Sequence, residues 1–458
     1  MSRRLFFVLL VASLFSRVAS LASPGTRDVT SFRTWAYNAA VLGPSQVYGV
    51  GGSASDPRIL RYRGAVETVD YPPLSIDELA VVGSLARALD GDPPRALVLT
   101  IGIKLLAGLA SAALALVVLV VVGRRSGAAV GRLAAAAYWA NPAVILHGAV
   151  LGYLGALAAL PAVGALFAAL AGESALAGAL LAVACLTKPQ GVFVAPALVL
   201  ALAGGSSGRW RRLGSAAVAG SLTTAAIVWP IVGAGALPHM LHALFSLVTD
   251  GLLSGNAANL WWLAGYAVVM LRHLSTAGPI AALAARVPIL SVSQITPIDY
   301  SVADVQVDGL VVLVLSWTAV LAVVGWAMWK ARRSGGFTPI VAFAALTVHV
   351  YFVLAVQVHE NHLQLALPLL AVVAAERRRY RPLFALLSAL VFLNLNLFYG
   401  LGQGRAYALP RSLTFIDATV LLAIVNIGAL IWHLRLFGRE CLETAPARPV
   451  AGGAEGRL

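Results

Sequence analysis

Asp28, Arg33 and Trp35 follow closely on the first apolar run, and Asp70-Tyr71-Pro72-Pro73-Leu74 comes after a polar stretch. A carboxylate can take a proton, a guanidinium can hold an anion and aromatic rings offer flat apolar faces. An acidic loop of this kind on an otherwise apolar chain points to an enzyme working at a membrane surface. Further chemistry-bearing residues recur between apolar runs: Lys188-Pro189-Gln190, then His359-Glu360, then Arg405 and Arg411.

Composition sets what must position them. Of 458 residues, 60% are hydrophobic and 11% charged, with a mean hydropathy of +0.85. A soluble domain does not carry that balance. Apolar runs near the roughly 20 residues needed to cross a bilayer, without a weak alternating pattern, predict an all-α polytopic protein and exclude a β-barrel. Met1 to Ser23 has features of a cleaved signal, but retaining it gives an even number of crossings. Spans are expected near 5–22, 97–122, 133–150, 152–171, 176–187, 191–204, 213–235, 308–330, 337–357, 362–375, 382–401 and 415–435. Asn259–Leu271 and Pro279–Val292 would raise twelve to fourteen. A first module over 1–235 contains the loop 23–95, and a second over 236–458 contains the loop 236–307 and His359-Glu360. No internal duplication is evident.

Arginine clusters at 124–132, 209–212, 332–333, 377–381 and 435–439 mark one side of the membrane. Both termini are then cytoplasmic, the chemistry-bearing loops face outward, and most of the net charge of +14 is topological. Nucleic acid is not implied. Cys185 and Cys441 lie on segments that would not meet in an oxidising space, so no disulfide is expected.

Two amphipathic helices are predicted in the loop 23–95. The first places Val29, Phe32, Ala36, Ala39 and Ala40 on one face and stops at Gly43-Pro44. The second enters through Pro72-Pro73, carries Ile76, Leu79, Val82, Leu85 and Leu89 on one face, and ends at Asp90-Gly91. Lying in the headgroup plane, they would frame a groove open to lipid and water.

These residues resemble the GT-C glycosyltransferases that use polyprenyl-phosphate sugars, and most of all the dolichyl-phosphate-glucose glucosyltransferases of the oligosaccharide-lipid pathway. Asp28, Arg33, Trp35 and Asp70 to Leu74 resemble that family's first luminal loop. Leu186-Thr187-Lys188-Pro189-Gln190 resembles its Lys-Gln element, and Gln357-Val358-His359-Glu360 its Val-His-Glu element before a Leu-Pro-Leu-Leu run, here Leu367 to Leu370. The resemblance covers most of the chain up to about residue 375.

It implies that Asp28 is the catalytic base, where the residues alone also allow a helix cap. Asp70, Arg33, Trp35 and Tyr71 become substrate contacts. Asp70 can equally cap the second helix, and Trp35 can anchor at the interface. Lys188, Gln190, His359, Glu360 and Arg405 become contacts to the donor phosphate, with Arg411 a further candidate. Lysine snorkelling and an ordinary polar helix end are the alternatives for Lys188 and His359. Two features depart from the family: 147–155 has no carboxylate, and Asn361 replaces a lysine. No metal or other cofactor is expected.

The expectation is therefore a hexosyltransferase moving glucose or mannose from a polyprenyl phosphate to a glycan, lipid or protein by inverting single displacement, in a bacterial plasma membrane. A lipid-linked-sugar flippase and a glycan polymerase or ligase are the alternatives. In a chain with Cys185 and Cys441 replaced by serine, Gly49→Cys should react with an impermeant thiol reagent in intact cells and Arg211→Cys only after the membrane is opened. The opposite pattern rejects the topology.

Overall fold

The computed structural model describes residues 1–48, 59–204, 208–249, 251–277, 298–299, 308–334, 336–402, 405–413 and 416–444. Pro279–Val292 falls outside them. Among the described residues, six helices are long and apolar enough to cross a bilayer: Ala96–Ser126, Arg209–Gly233, Gly309–Ser334, Phe337–Leu354, Arg378–Tyr399 and Ala418–Thr444. Ala128–Trp139 and Pro142–Val150, bent by 48° where they join, are together long and apolar enough for a seventh. The bend falls at Asn141-Pro142, where proline cannot continue the hydrogen-bond ladder and the Asn141 side chain caps the next turn.

Shorter apolar helices fill the gaps: Gly155–Leu170, Ser174–Thr187, Pro189–Ala203, Leu260–Leu271 and His362–Glu376. The expected short pair at 176–187 and 191–204 is thus two half-length helices meeting at Lys188, whose backbone is extended. Phe337–Leu354 is buried on nearly every side. It packs against Gly309–Ser334, Ala366–Glu376 and Ala418–Thr444, which makes it the axis of the second half of the chain. Helix Arg3–Ser20 buries one cation, Arg17. Its guanidinium lies 4.0 Å above the Trp139 ring and donates to the Trp139 carbonyl at 2.8 Å.

Both loop helices are present, as Arg27–Leu42 and Pro73–Asp90. The first buries Val29, Phe32, Trp35, Ala36 and Ala39. The second buries Ile76, Leu79 and Val82, but Leu85 and Leu89 are exposed on another face beside Val81, which corrects the single apolar face expected there. The helix has two apolar faces, one against the protein and one free to enter lipid. A short hairpin pairs Leu60–Tyr62 with Ala65–Glu67 between the two helices.

The two loop helices approach at Gly83, where an added Cβ would stand 1.9 Å from the Ala36 carbonyl oxygen. Gly83→Ala must push the helices apart, and a loss of about 1–3 kcal/mol is expected from overpacking. Gly108→Ala meets no atom within 4 Å and serves as the control. Thermal unfolding in detergent should separate them, and equal melting temperatures would reject the tight contact.

Candidate active site

A cavity of about 460 Å³ opens where the first loop meets the segments around Lys188 and His359. Asp28, Trp35, Asp70 and Tyr71 line it from the first loop, Lys188 and Gln190 from the junction of the short helices, and His359 and Glu360 from the turn that follows the axial helix. Eight of the eleven residues singled out from the sequence therefore share one cavity. Arg33 and Arg405 do not line it: Arg33 donates to Thr30 Oγ1 at 2.9 Å, and Arg405 to the Leu397 carbonyl at 2.9 Å. Arg411 also lies outside the lining, 3.8 Å from Asp417.

The capping roles open to the two aspartates are not made. Thr26 is the N-cap of the first loop helix, and Asp28 sits one residue inside it, where the helix dipole favours negative charge. The second helix has Pro72 as N-cap with no side-chain cap bond. Asp70 Oδ1 is buried without a hydrogen-bond partner. Trp35 is 3% exposed, and its Nε1 donates to the Thr68 carbonyl at 3.1 Å. It forms a cluster with Phe32 and Tyr71, ring centroids 5.3–5.5 Å apart. Its indole nitrogen is thus committed to holding the wall of the cavity.

Charges in the cavity are tied by a chain of hydrogen bonds. Lys188 Nζ donates to Asn361 Oδ1 at 3.1 Å, Asn361 Nδ2 donates to Glu360 Oε1 at 3.2 Å, and the Tyr153 hydroxyl donates to the same oxygen at 2.5 Å. Glu360 Oε2 has no hydrogen-bond partner. That oxygen stands 4.0 Å from His359 Nδ1. Gln190 Nε2 meets His362 Nε2 at 2.9 Å, and the Tyr351 hydroxyl meets His362 Nδ1 at 3.0 Å.

Burial dominates the titration of these groups. It raises Asp28, helped by the charge of Glu360 and opposed by Lys188, His359 and Arg27. Burial, together with the charge of Asp28, pushes Asp70 up to about 6. Glu360 is also raised by burial, against the Tyr153 hydroxyl and Lys188. Lys188 is lowered by burial and supported by Asp28, Glu360 and Asp70. A carboxyl raised in this way can hold or accept a proton near neutral pH.

Several contacts fix the segments that carry these groups. Ser75 Oγ donates to the Thr187 carbonyl at 2.5 Å, joining the second loop helix to the turn that presents Lys188. Gly255 N donates to the Val358 carbonyl at 2.8 Å, and Glu360 N donates back to the Gly255 carbonyl at 3.1 Å. A Cβ at Gly255 would lie 2.5 Å from His359 Nδ1, so a side chain there would displace the imidazole. Gln357 adopts φ 61°, a costly backbone for a residue with a side chain and a mark of a loop held by its surroundings.

Tyr153, Tyr399, His362 and His147 were not identified from the sequence as site residues. The first two surround Glu360, and His147 stacks on Tyr153 with centroids 5.1 Å apart. The only hint was the 147–155 segment itself, noted for its missing carboxylate. The structure shows Tyr153 from that segment binding a carboxylate supplied by another. Among the described residues, no group of three or more His, Cys, Asp or Glu is placed to hold a metal ion.

The raised Asp70 carboxyl has a direct consequence for stability. Between about pH 4 and 6 the folded chain holds a proton there that the unfolded chain releases, so stability falls as pH rises across that window and then levels. Asp70→Asn stays neutral throughout. It should melt above the wild type at pH higher than about 6, with the difference vanishing near pH 4. Thermal unfolding across pH in detergent checks this, and a wild-type advantage at neutral pH rejects it.

The sequence matches no family model and no curated protein. Among solved structures, ArnT from Cupriavidus metallidurans bound to undecaprenyl phosphate is similar over 96% of this chain and 78% of its own, at 15% identity and a TM-score of 0.50. The Archaeoglobus fulgidus oligosaccharyltransferase, tethered with an acceptor peptide, is similar over 98% of this chain and 56% of its own, at 14% identity and a TM-score of 0.41. At 15% identity the likeness to the ArnT structure is one of fold alone, and the chain is an all-α polytopic membrane protein with that fold.

Proposed function

We propose that this chain transfers a hexose from a polyprenyl-phosphate sugar to an acceptor hydroxyl on the outer face of a bacterial plasma membrane, with both termini cytoplasmic. The observation that carries the reading is the convergence of Asp28, Lys188 and His359-Glu360, from three distant segments, on one cavity. The ArnT structure is bound to undecaprenyl phosphate, which supports a lipid phosphate as the donor carrier. Glucose or mannose is the sugar class proposed from the sequence resemblance. A transporter needs no loop helices that present a carboxylate to such a cavity.

The acceptor oxygen attacks the anomeric carbon as the bond from that carbon to the phosphate oxygen breaks. Asp28 takes the hydroxyl proton, and its raised affinity for a proton suits a base working near neutral pH. The departing phosphate keeps the bonding electron pair and gains negative charge. Lys188 and His359 oppose that charge, and Gln190 offers an amide donor. One displacement inverts the anomeric centre. Phe193, Trp317 and Tyr351 form an aromatic wall, with Phe193 stacked on Tyr351 at 3.8 Å, against which a sugar or the first isoprene unit packs.

Asp28→Asn should retain binding of a synthetic polyprenyl-phosphate hexose while turnover drops by roughly 10²–10⁴-fold. The wild-type rate should fall as pH drops through the raised Asp28 value, because the protonated carboxyl is no base. Lys188→Met should instead weaken binding and turnover together. Transfer of labelled hexose in nanodiscs decides this: near-normal turnover in Asp28→Asn, or normal donor affinity in Lys188→Met, rejects the assigned role.

A further inference from the structure

Far from the cavity, at the arginine-rich end of the bundle, helices Gly309–Ser334 and Ala418–Thr444 pack with a groove of about 550 Å³ between them. Val323, Trp326, Ile431 and Leu434 form its walls, and Lys330 and Arg435 supply its charge. A Cβ at Gly438, inside the groove, would meet no atom within 4 Å, so this space is open rather than packed. Trp326 is 39% exposed and Ile431 46%, which leaves apolar surface for an acyl chain to cover.

The two cations differ from their arginine neighbours. Arg377 and Arg379 are paired with Glu440, and Arg379 also with Glu443. Among the described residues, Lys330 and Arg435 have no carboxylate within ion-pair distance; Lys330 Nζ lies 5.1 Å from the Trp329 ring. An apolar slot ending in two uncompensated cations beside tryptophans matches one ligand chemistry: an acyl chain joined to a negatively charged headgroup.

We propose that this groove binds one anionic glycerophospholipid, its chain lying against Trp326 and Gly438 and its phosphate between Lys330 and Arg435. The site lies at the opposite end of the spans from the catalytic cavity, so it is separate from any donor site. Loss of two cations that each favour an anionic lipid should lower retention about tenfold or more. Filling the open space with Gly438→Leu should act similarly without altering charge.

Native mass spectrometry of the full chain, exchanged into detergent with equal phosphatidylglycerol and phosphatidylcholine, tests this. The wild type should retain one phosphatidylglycerol in preference to phosphatidylcholine. Lys330→Gln with Arg435→Gln, and separately Gly438→Leu, should abolish that preference, whereas Arg209→Gln with Arg211→Gln should not. Equal retention of the two lipids, unchanged retention in either groove variant, or equal loss in the control pair overturns the proposal. Should Gly438→Leu aggregate on size exclusion, the charge pair decides.

Discussion

A buried ammonium must find its charge balance within the protein. Lys188 is only 7% exposed, and its pocket answers it with Asn361 directly and with Asp28, Asp70 and Glu360 through space. The carboxyl groups outnumber the cation, and an anionic donor would be repelled if all were ionised. Burial resolves the conflict by raising their proton affinity, with Asp70 at about 6 and Glu360 also raised. Asp28 is raised as well, so protons held among these three carboxyls lower the negative charge that a phosphate beside Lys188 would meet. The hydrogen-bond chain from Lys188 through Asn361 and Glu360 to Tyr153 also joins three segments far apart in sequence, so one balance of charge sets the geometry of the whole cavity.

A second cation holds the first loop in place. Lys104 lies inside a membrane helix, where an unpaired charge is costly. Its Nζ donates to the Ser23 carbonyl and hydroxyl, each at 2.6 Å, and to the Val150 carbonyl at 2.8 Å. Next to this clamp, Thr26 N donates to the Leu151 carbonyl at 3.0 Å, and the helix bearing Asp28 begins one residue later. The ammonium thus replaces water with fixed carbonyls and, in doing so, sets where the loop helix starts.

Much of this was legible in the chain. Among the described residues six long spans follow from unbroken apolar runs, fewer than the twelve to fourteen expected because several runs form helices too short to cross alone; the loop helices follow from their prolines and glycines, because these signals are local. The cavity residues carried by short polar breaks were also visible, since a charge in an apolar chain needs a reason. Tyr153 was not, because an aromatic residue in a greasy stretch looks the same whether it packs or donates. Arg33 and Arg405 show the reverse error: a cation near a motif need not face the cavity, and each is held by a neighbouring oxygen instead. Leu85 and Leu89 misled for a different reason. In water an apolar stripe must be covered by protein, whereas a bilayer leaves a second face free to be apolar.

The polar groups buried in the second half of the chain have a comparable logic. His349 contacts His433 at 3.2 Å and Asn426 at 3.2 Å, all on helices of the bundle core. Asn426 Nδ2 donates to the Ala258 carbonyl at 2.9 Å, and Asn394 Oδ1 accepts from Ala258 N at 2.9 Å. Asn259 reaches the Phe352 and Ala355 carbonyls, which end the axial helix. The bonds from Asn426 and Asn394 and those of Asn259 hold the segment 255–259, whose Gly255 pairs with Val358 and Glu360. Apolar packing would hold that segment in the core but allow it to slide, while directional bonds at both Ala258 backbone groups fix its register. A shift of one residue would bring a Cβ against His359 and pull Glu360 from Tyr153, so the polar cluster in the membrane core is a condition for the charge balance at the cavity.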